Sequence, residues 1–107
     1  MVTPPYSTRF IDATLATSGT ASYVVPAGFV AVVHQFSVVP LTDTGAFVTL
    51  FGPTGTSWSV VGATIGTHSV SEDTRGRYVY GQGETITVTE VGLGPAGVYV
   101  GGYLLSA

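Results

Sequence analysis

Val24-Val25-Pro26-Ala27-Gly28-Phe29-Val30-Ala31-Val32-Val33-His34-Gln35-Phe36-Ser37-Val38-Val39 is the stretch that decides the fold. Proline at the second position of Val25-Pro26-Ala27-Gly28 pre-sets φ, and glycine is favoured at the fourth, so these residues predict a tight turn. The strand Ala21 to Val25 enters it. Phe29 to Val39 leaves it as the strongest strand of the chain. Side chains alternate across a strand, which places Val30, Val32, His34, Phe36 and Val38 on one face. Phe29, Ala31, Val33, Gln35, Ser37 and Val39 fall on the other, more mixed face.

The same grammar extends in both directions. Valine, isoleucine and threonine supply 36 of the 107 residues, and such residues favour pleated, half-buried surfaces. Strands are predicted at Ala46 to Phe51, Ser57 to Val61, Arg77 to Tyr80, Glu84 to Val91 and Val98 to Leu105, with a short one at His68 to Val70. In Glu84 to Val91, Ile86 and Val88 face one way and Thr85, Thr87 and Thr89 the other, the pattern of a strand with one wet side. In the last strand Val98, Val100 and Leu104 oppose Tyr99, Gly101 and Tyr103. Glycines and prolines separate these runs at short intervals, as in a sandwich or barrel. Residues 6–16 read as a strand or a short helix, and Met1 to Pro5 as an extended arm. Tyr23 to Val33 and Tyr78 to Val88 echo each other as strand, tight glycine turn, alternating strand. The expected fold is all-β: a single antiparallel β-sandwich, jelly-roll-like, of about eight strands. Residues 1–19 form an N-terminal arm and possible first strand, and 20–107 the sandwich domain.

Composition excludes several functions. Nine residues are charged, none of them lysine, and the net charge is −3. Counterion release on nucleic acid needs clustered cations, and Arg9, Arg75 and Arg77 are too few. A spanning helix needs about 20 predominantly apolar residues, and Thr17 to Thr20 and Pro26 to Gly28 interrupt the uncharged stretch from Ala13 to Thr42. The N-terminus lacks a basic segment followed by an apolar one, so no secretory signal is expected. With no cysteine, a disulfide framework and a thiolate metal site are excluded.

Candidate chemistry is thin. His34 lacks a metal-ligand spacing and reads as a satisfied, partly buried histidine; His68 reads as solvated. Glu84 and Glu90 share a strand face but lie roughly 20 Å apart by strand rise, too far to flank one glycosidic bond. No nucleophile elbow or phosphate-binding glycine loop is present. No catalytic, cofactor-binding or metal residue is therefore expected, and the chain reads as a non-enzyme. Glu72, Asp73, Arg75 and Arg77 hold four of the nine charges. They read as a solvated loop, a cation site, a docking tip or an intersubunit salt bridge. Trp58, Tyr78 and Tyr80, with Tyr99 and Tyr103, form a candidate platform for stacking sugar, as in a carbohydrate-binding module. Tyr99 and Tyr103 read as candidate interface residues, since tyrosine is enriched in interfaces. So do Pro4, Pro5 and Tyr6 of the arm and the charged group Glu72, Asp73, Arg75 and Arg77.

Three segments carry a resemblance. They are Val24-Val25-Pro26-Ala27-Gly28 before a long strand, Arg77-Tyr-Val-Tyr-Gly-Gln-Gly-Glu-Thr-Ile-Thr-Val88, and Gly97-Val-Tyr-Val-Gly-Gly-Tyr-Leu-Leu-Ser106. Over residues 20–107 the chain resembles small β-sandwich virion proteins of tailed bacteriophages, of the minor tail or head-decoration type, especially those infecting actinobacteria. The resemblance implies a non-enzymatic virion component, copies arranged in symmetric rings (often trimers), and docking on major capsid or tail proteins through an extended terminus. It brings no catalytic residue and no cofactor. A neutral, hydroxyl-rich surface independently suits close packing of identical copies, because like charges repel across a symmetry axis. The alternative expectation is a carbohydrate-binding β-sandwich for host-surface glycans.

Overall fold

A computed structural model of the chain describes residues 6–41, 46–63, 72–92 and 94–106; the side chains of residues 6, 7, 59–63 and 72–76 lie outside that description. Eight strands follow one another: β1 (Tyr6–Leu15), β2 (Thr20–Val24), β3 (Phe29–Pro40), β4 (Ala46–Phe51), β5 (Ser57–Ala63), β6 (Glu72–Tyr80), β7 (Thr85–Glu90) and β8 (Ala96–Ser106). They form two four-stranded sheets, ordered β1-β8-β3-β6 and β2-β7-β4-β5, with every neighbouring pair antiparallel. This is the strand order of a jelly roll, the sandwich expected from the sequence. Residues 6–15, readable as strand or helix, form an edge strand of the first sheet. His68 to Val70 lies outside the described residues.

The sandwich turns its corners where the sequence echoes itself. Gly28 takes φ +86° with no atom within 4 Å of where a Cβ would stand, so conformation alone calls for glycine there. Phe29 N donates to Pro26 O at 3.2 Å, so the turn runs from Pro26 to Phe29, one residue later than expected, with proline first and Gly28 third. β2 and β3 lie in different sheets, so this is a corner between layers rather than a hairpin. The turn Gly81 to Glu84 does the same for β6 and β7. The two corners dock on each other: Val25 N donates to Glu84 O and Gly83 N to Val25 O, both at 2.9 Å, and Gly28 N donates to Gln82 Oε1 at 2.8 Å.

The expected face assignment of β3 is wrong over its first half. Ala31, Val33, Phe36, Val38 and Pro40 are the fully buried residues, while Val30 and His34 are only half-buried. The cause is a register shift between Val33 and Gln35 that inserts His34 as an extra residue and reverses the alternation. β1 carries a second shift, between Arg9 and Ile11, at Phe10. Arg9 and Gln35 both pair with Gly101 of β8, so the two bulges lie side by side across the sheet. Strict alternation resumes beyond them, and Val98 and Val100 point inward as expected.

The charged segment is also corrected. Glu72 to Arg77, readable as a loop, is the first part of β6, with Asp73 paired to Ser37 and Glu72 to Val38. Between the sheets, Phe10, Leu15, Phe36, Leu50, Tyr80 and Ile86 fill the core with a layer of valines. Phe36 is fully buried, and its truncation to alanine costs about 3–5 kcal/mol by loss of transfer energy and cavity formation.

Candidate functional site

The outer face of the first sheet is where the described structure departs from an ordinary wet surface. Val32 is buried to 5% exposure yet is not part of the core between the sheets. The β3 bulge turns it outward, where it pairs with Val79 of β6 on one side and Tyr103 of β8 on the other. Val30 pairs with Leu105 one step along. Val79 is 54% and Leu105 38% exposed, so the flanks of the row stand in solvent while its centre, Val32, is covered by them. The His34 ring leans on Tyr103 at a centroid distance of 5.8 Å. Val30, Val32, Val79, Tyr103 and Leu105 thus form a contiguous apolar patch, with exposed Arg77 two residues before Val79 on the same strand.

Beyond the bulges the same face is polar. Asp12 pairs with Tyr99, and Tyr99 with Ser37, across β1, β8 and β3. A groove of about 280 Å³ opens there, lined by Asp12, Thr14, Ser37, Val39, Gly97 and Tyr99 among others. The Tyr99 ring lies over Gly101: a methyl at Gly101 would come within 2.5 Å of Tyr99 Cε1 and Oη. Asp12 pairs with Arg9 at 3.2 Å, both side chains more than half exposed. Such a pair contributes little to stability.

The aromatic trio has a different character. Trp58 stacks on Tyr78 at 5.8 Å and 19°, and meets Tyr80 at 4.9 Å and 49°. Tyr80 is fully buried and donates its hydroxyl hydrogen to Phe51 O at 2.6 Å. Burial, with Tyr78 and Glu84 adding electrostatically, holds its phenol well above the ordinary tyrosine range. Tyr80 is thus a core residue and offers no face to a sugar. Trp58 and Tyr78 are half-buried and packed against the core, with Gly52 beneath the indole where a Cβ would collide.

Of the other residues singled out from sequence, Arg77 is exposed on β6 and Tyr99 and Tyr103 are half-buried on β8. Pro4 and Pro5 lie outside the described residues, as do the side chains of Tyr6, Glu72, Asp73 and Arg75. His34 lies on the outer face at the bulge, not on the core face. Among the described residues no three histidine, aspartate or glutamate side chains gather as metal ligands.

Sequence reasoning missed two features. One is the groove, whose residues come from three strands and meet only through non-local pairing. The other is Glu90, 1% exposed at the end of β7. Its carboxylate accepts from Ser18 N at 2.9 Å, Gly92 N at 2.7 Å, Phe47 N at 3.4 Å and Gly94 N at 3.5 Å. The signal was present in the alternation, which puts Glu90 on the face of Ile86 and Val88.

No family model matches the chain, and no curated protein matches it. Solved structures do resemble it in fold. One is a Podospora anserina GH26-CBM35 β-(1,4)-mannanase, at TM-score 0.57 and 10% identity; 96% of this chain is covered, and it spans only 28% of that one. Another is the Drosophila NLP core, described for pentamer formation and histone binding, at TM-score 0.52 and 17% identity, covering 92% of this chain and all of that one. At such identities the likeness is one of fold.

Proposed function

We propose that this protein is a non-enzymatic structural subunit that joins copies of itself through the outer face of its first sheet. The observation that carries the reading is the apolar row Val79–Val32–Tyr103, with Val30 and Leu105 beside it, on the solvent side of a sheet. An apolar patch on a sheet face marks an interaction surface. With nine charges in 107 residues, little on the surface opposes contact between identical copies. The setting is the one that the sequence resemblance implies: a tailed-phage particle, in which the subunit decorates the head or completes the tail. The Drosophila NLP core, a protein of the same layer architecture described as forming a pentamer, is consistent with such a role for the fold.

Light scattering of the purified protein tests this. An oligomer is expected, and Val79→Glu or Leu105→Glu, which places a charge in the patch, is expected to return it to the 11.0 kDa single chain. A wild-type protein that stays monomeric at high concentration contradicts the reading.

A second reading, a carbohydrate-binding module, draws on the mannanase neighbour, which carries a carbohydrate-binding module. Jelly rolls serve capsids and lectins alike, so the fold does not choose between the readings. Burial of Tyr80 removes the trio first considered for stacking, leaving the Trp58–Tyr78 pair and the groove at Tyr99.

A further inference from the structure

We infer that the groove between β1, β8 and β3 is a subsite for one neutral pyranose of a glycan. This rests on the carbohydrate-binding reading and gives it a place. Three features converge. Tyr99 lies down along its own strand over Gly101, on the side away from Gly97, so its ring is laid along the sheet and its flank borders the groove. Gly97, on the same face two residues earlier, leaves the groove floor without a side chain. Asp12, Thr14 and Ser37 supply a carboxylate and two hydroxyls around that floor.

The chemistry of the walls selects the ligand. A pyranose has an apolar C–H face and a rim of hydroxyls. The first suits Val39 and the flank of Tyr99; the second suits the carboxylate of Asp12 and the hydroxyls of Thr14 and Ser37. Among the residues lining the groove there is no lysine, arginine or histidine, while Asp12 is acidic. Phosphate or carboxylate ligands are therefore disfavoured. Arg9 lies 3.2 Å from Asp12 in an exposed pair too weak to fix the carboxylate in place. The volume of about 280 Å³ falls just below the roughly 300 Å³ at which pockets for drug-sized ligands begin, so the groove takes a single sugar at most rather than a long chain. A shallow, open site of this kind binds weakly, since ordering the ligand offsets much of the contact energy.

Saturation-transfer difference NMR on the full chain, with methyl glycosides of glucose, galactose, mannose and N-acetylglucosamine as probes, tests the inference. At least one probe is expected to bind wild type in the millimolar range. Tyr99→Ala is expected to weaken it at least tenfold. Gly97→Ala serves as the second variant: a Cβ there meets Val39 O and Cβ only at ordinary contact, 3.8 and 4.0 Å, so the strand tolerates it while the floor narrows. It too should lose binding with its circular dichroism unchanged. No signal with any probe overturns the proposal. Binding that survives both variants but is lost in Tyr78→Ala overturns the site while sparing the carbohydrate-binding reading, and places the sugar on the Trp58 pair. The solution mass of the variants, read in parallel, reports on self-association and stays at the wild-type value if only the groove is altered.

Discussion

Glu90 shows at a single residue how this charge-poor chain uses a charge. Its carboxylate ties the β1–β2 turn, the start of β4 and the β7–β8 loop into one knot of backbone donors. Gly92 contributes its N–H from φ +78°, a conformation that favours glycine. Replacing the carboxylate by an amide sets an NH2 group against N–H donors. Glu90→Gln is therefore expected to cost about 1–3 kcal/mol, read as a lower urea midpoint with unchanged slope. Tyr80 is the second such residue. Its phenol titrates above the ordinary value of about 10, so the folded state binds its proton more tightly than the unfolded chain does. The resulting stability is complete below about pH 10 and is lost as pH rises past it, when the unfolded tyrosine ionises first. Tyr80→Phe, which also gives up the bond to Phe51 O, should be about 1 kcal/mol less stable at neutral pH. It should decline less steeply than wild type in urea titrations between pH 9 and 11. Parallel alkaline slopes would contradict this.

At the scale of the element, β8 sets the geometry of the first sheet. It lies between β1 and β3 and receives the β3 bulge between Gly102 and Gly101 and the β1 bulge between Gly101 and Val100. A methyl on Gly102 collides with the Val32 carbonyl, whereas one on Gly97 makes ordinary contacts. Gly102→Ala should therefore cost about 1–3 kcal/mol by overpacking, and Gly97→Ala about 0.5 kcal/mol or less. Thermal unfolding separates the two, since each kcal/mol moves the midpoint by roughly 4–8 °C in a domain of this size. The bulges also explain where sequence reading stopped. Alternation sorted β7 and the first half of β8 without error, because nothing interrupts them. It failed on β3 because an inserted residue leaves no compositional mark: His34 is as compatible with either parity. It missed the start of β6 because Glu72 to Arg77, rich in charge, reads as surface loop while its backbone pairs with β3.

For the whole molecule, the echo between Tyr23–Val33 and Tyr78–Val88 marks the two corners that hold the jelly roll closed. That much of the architecture was legible. The groove and the apolar patch were not, because Asp12, Ser37 and Tyr99, or Val32, Val79 and Tyr103, are far apart in sequence and meet only across strand pairs. The same bulges that reverse β3 place Val32 outside the core and so divide the outer face into an apolar half and a polar half. The proposed contact between copies falls on the first half, and the inferred sugar subsite on the second. A second set of exposed apolar residues, Leu41, Phe47 and Val91, lies near the Glu90 knot and provides an internal reference. Hydroxyl-radical footprinting over a concentration series tests the assembly face most directly. The account predicts that Tyr103, Leu105 and Val79 lose reactivity as the protein associates while Phe47 and Val91 keep theirs; protection at Phe47 and Val91 with none at Tyr103, Leu105 and Val79, or no protection at any concentration, would contradict it.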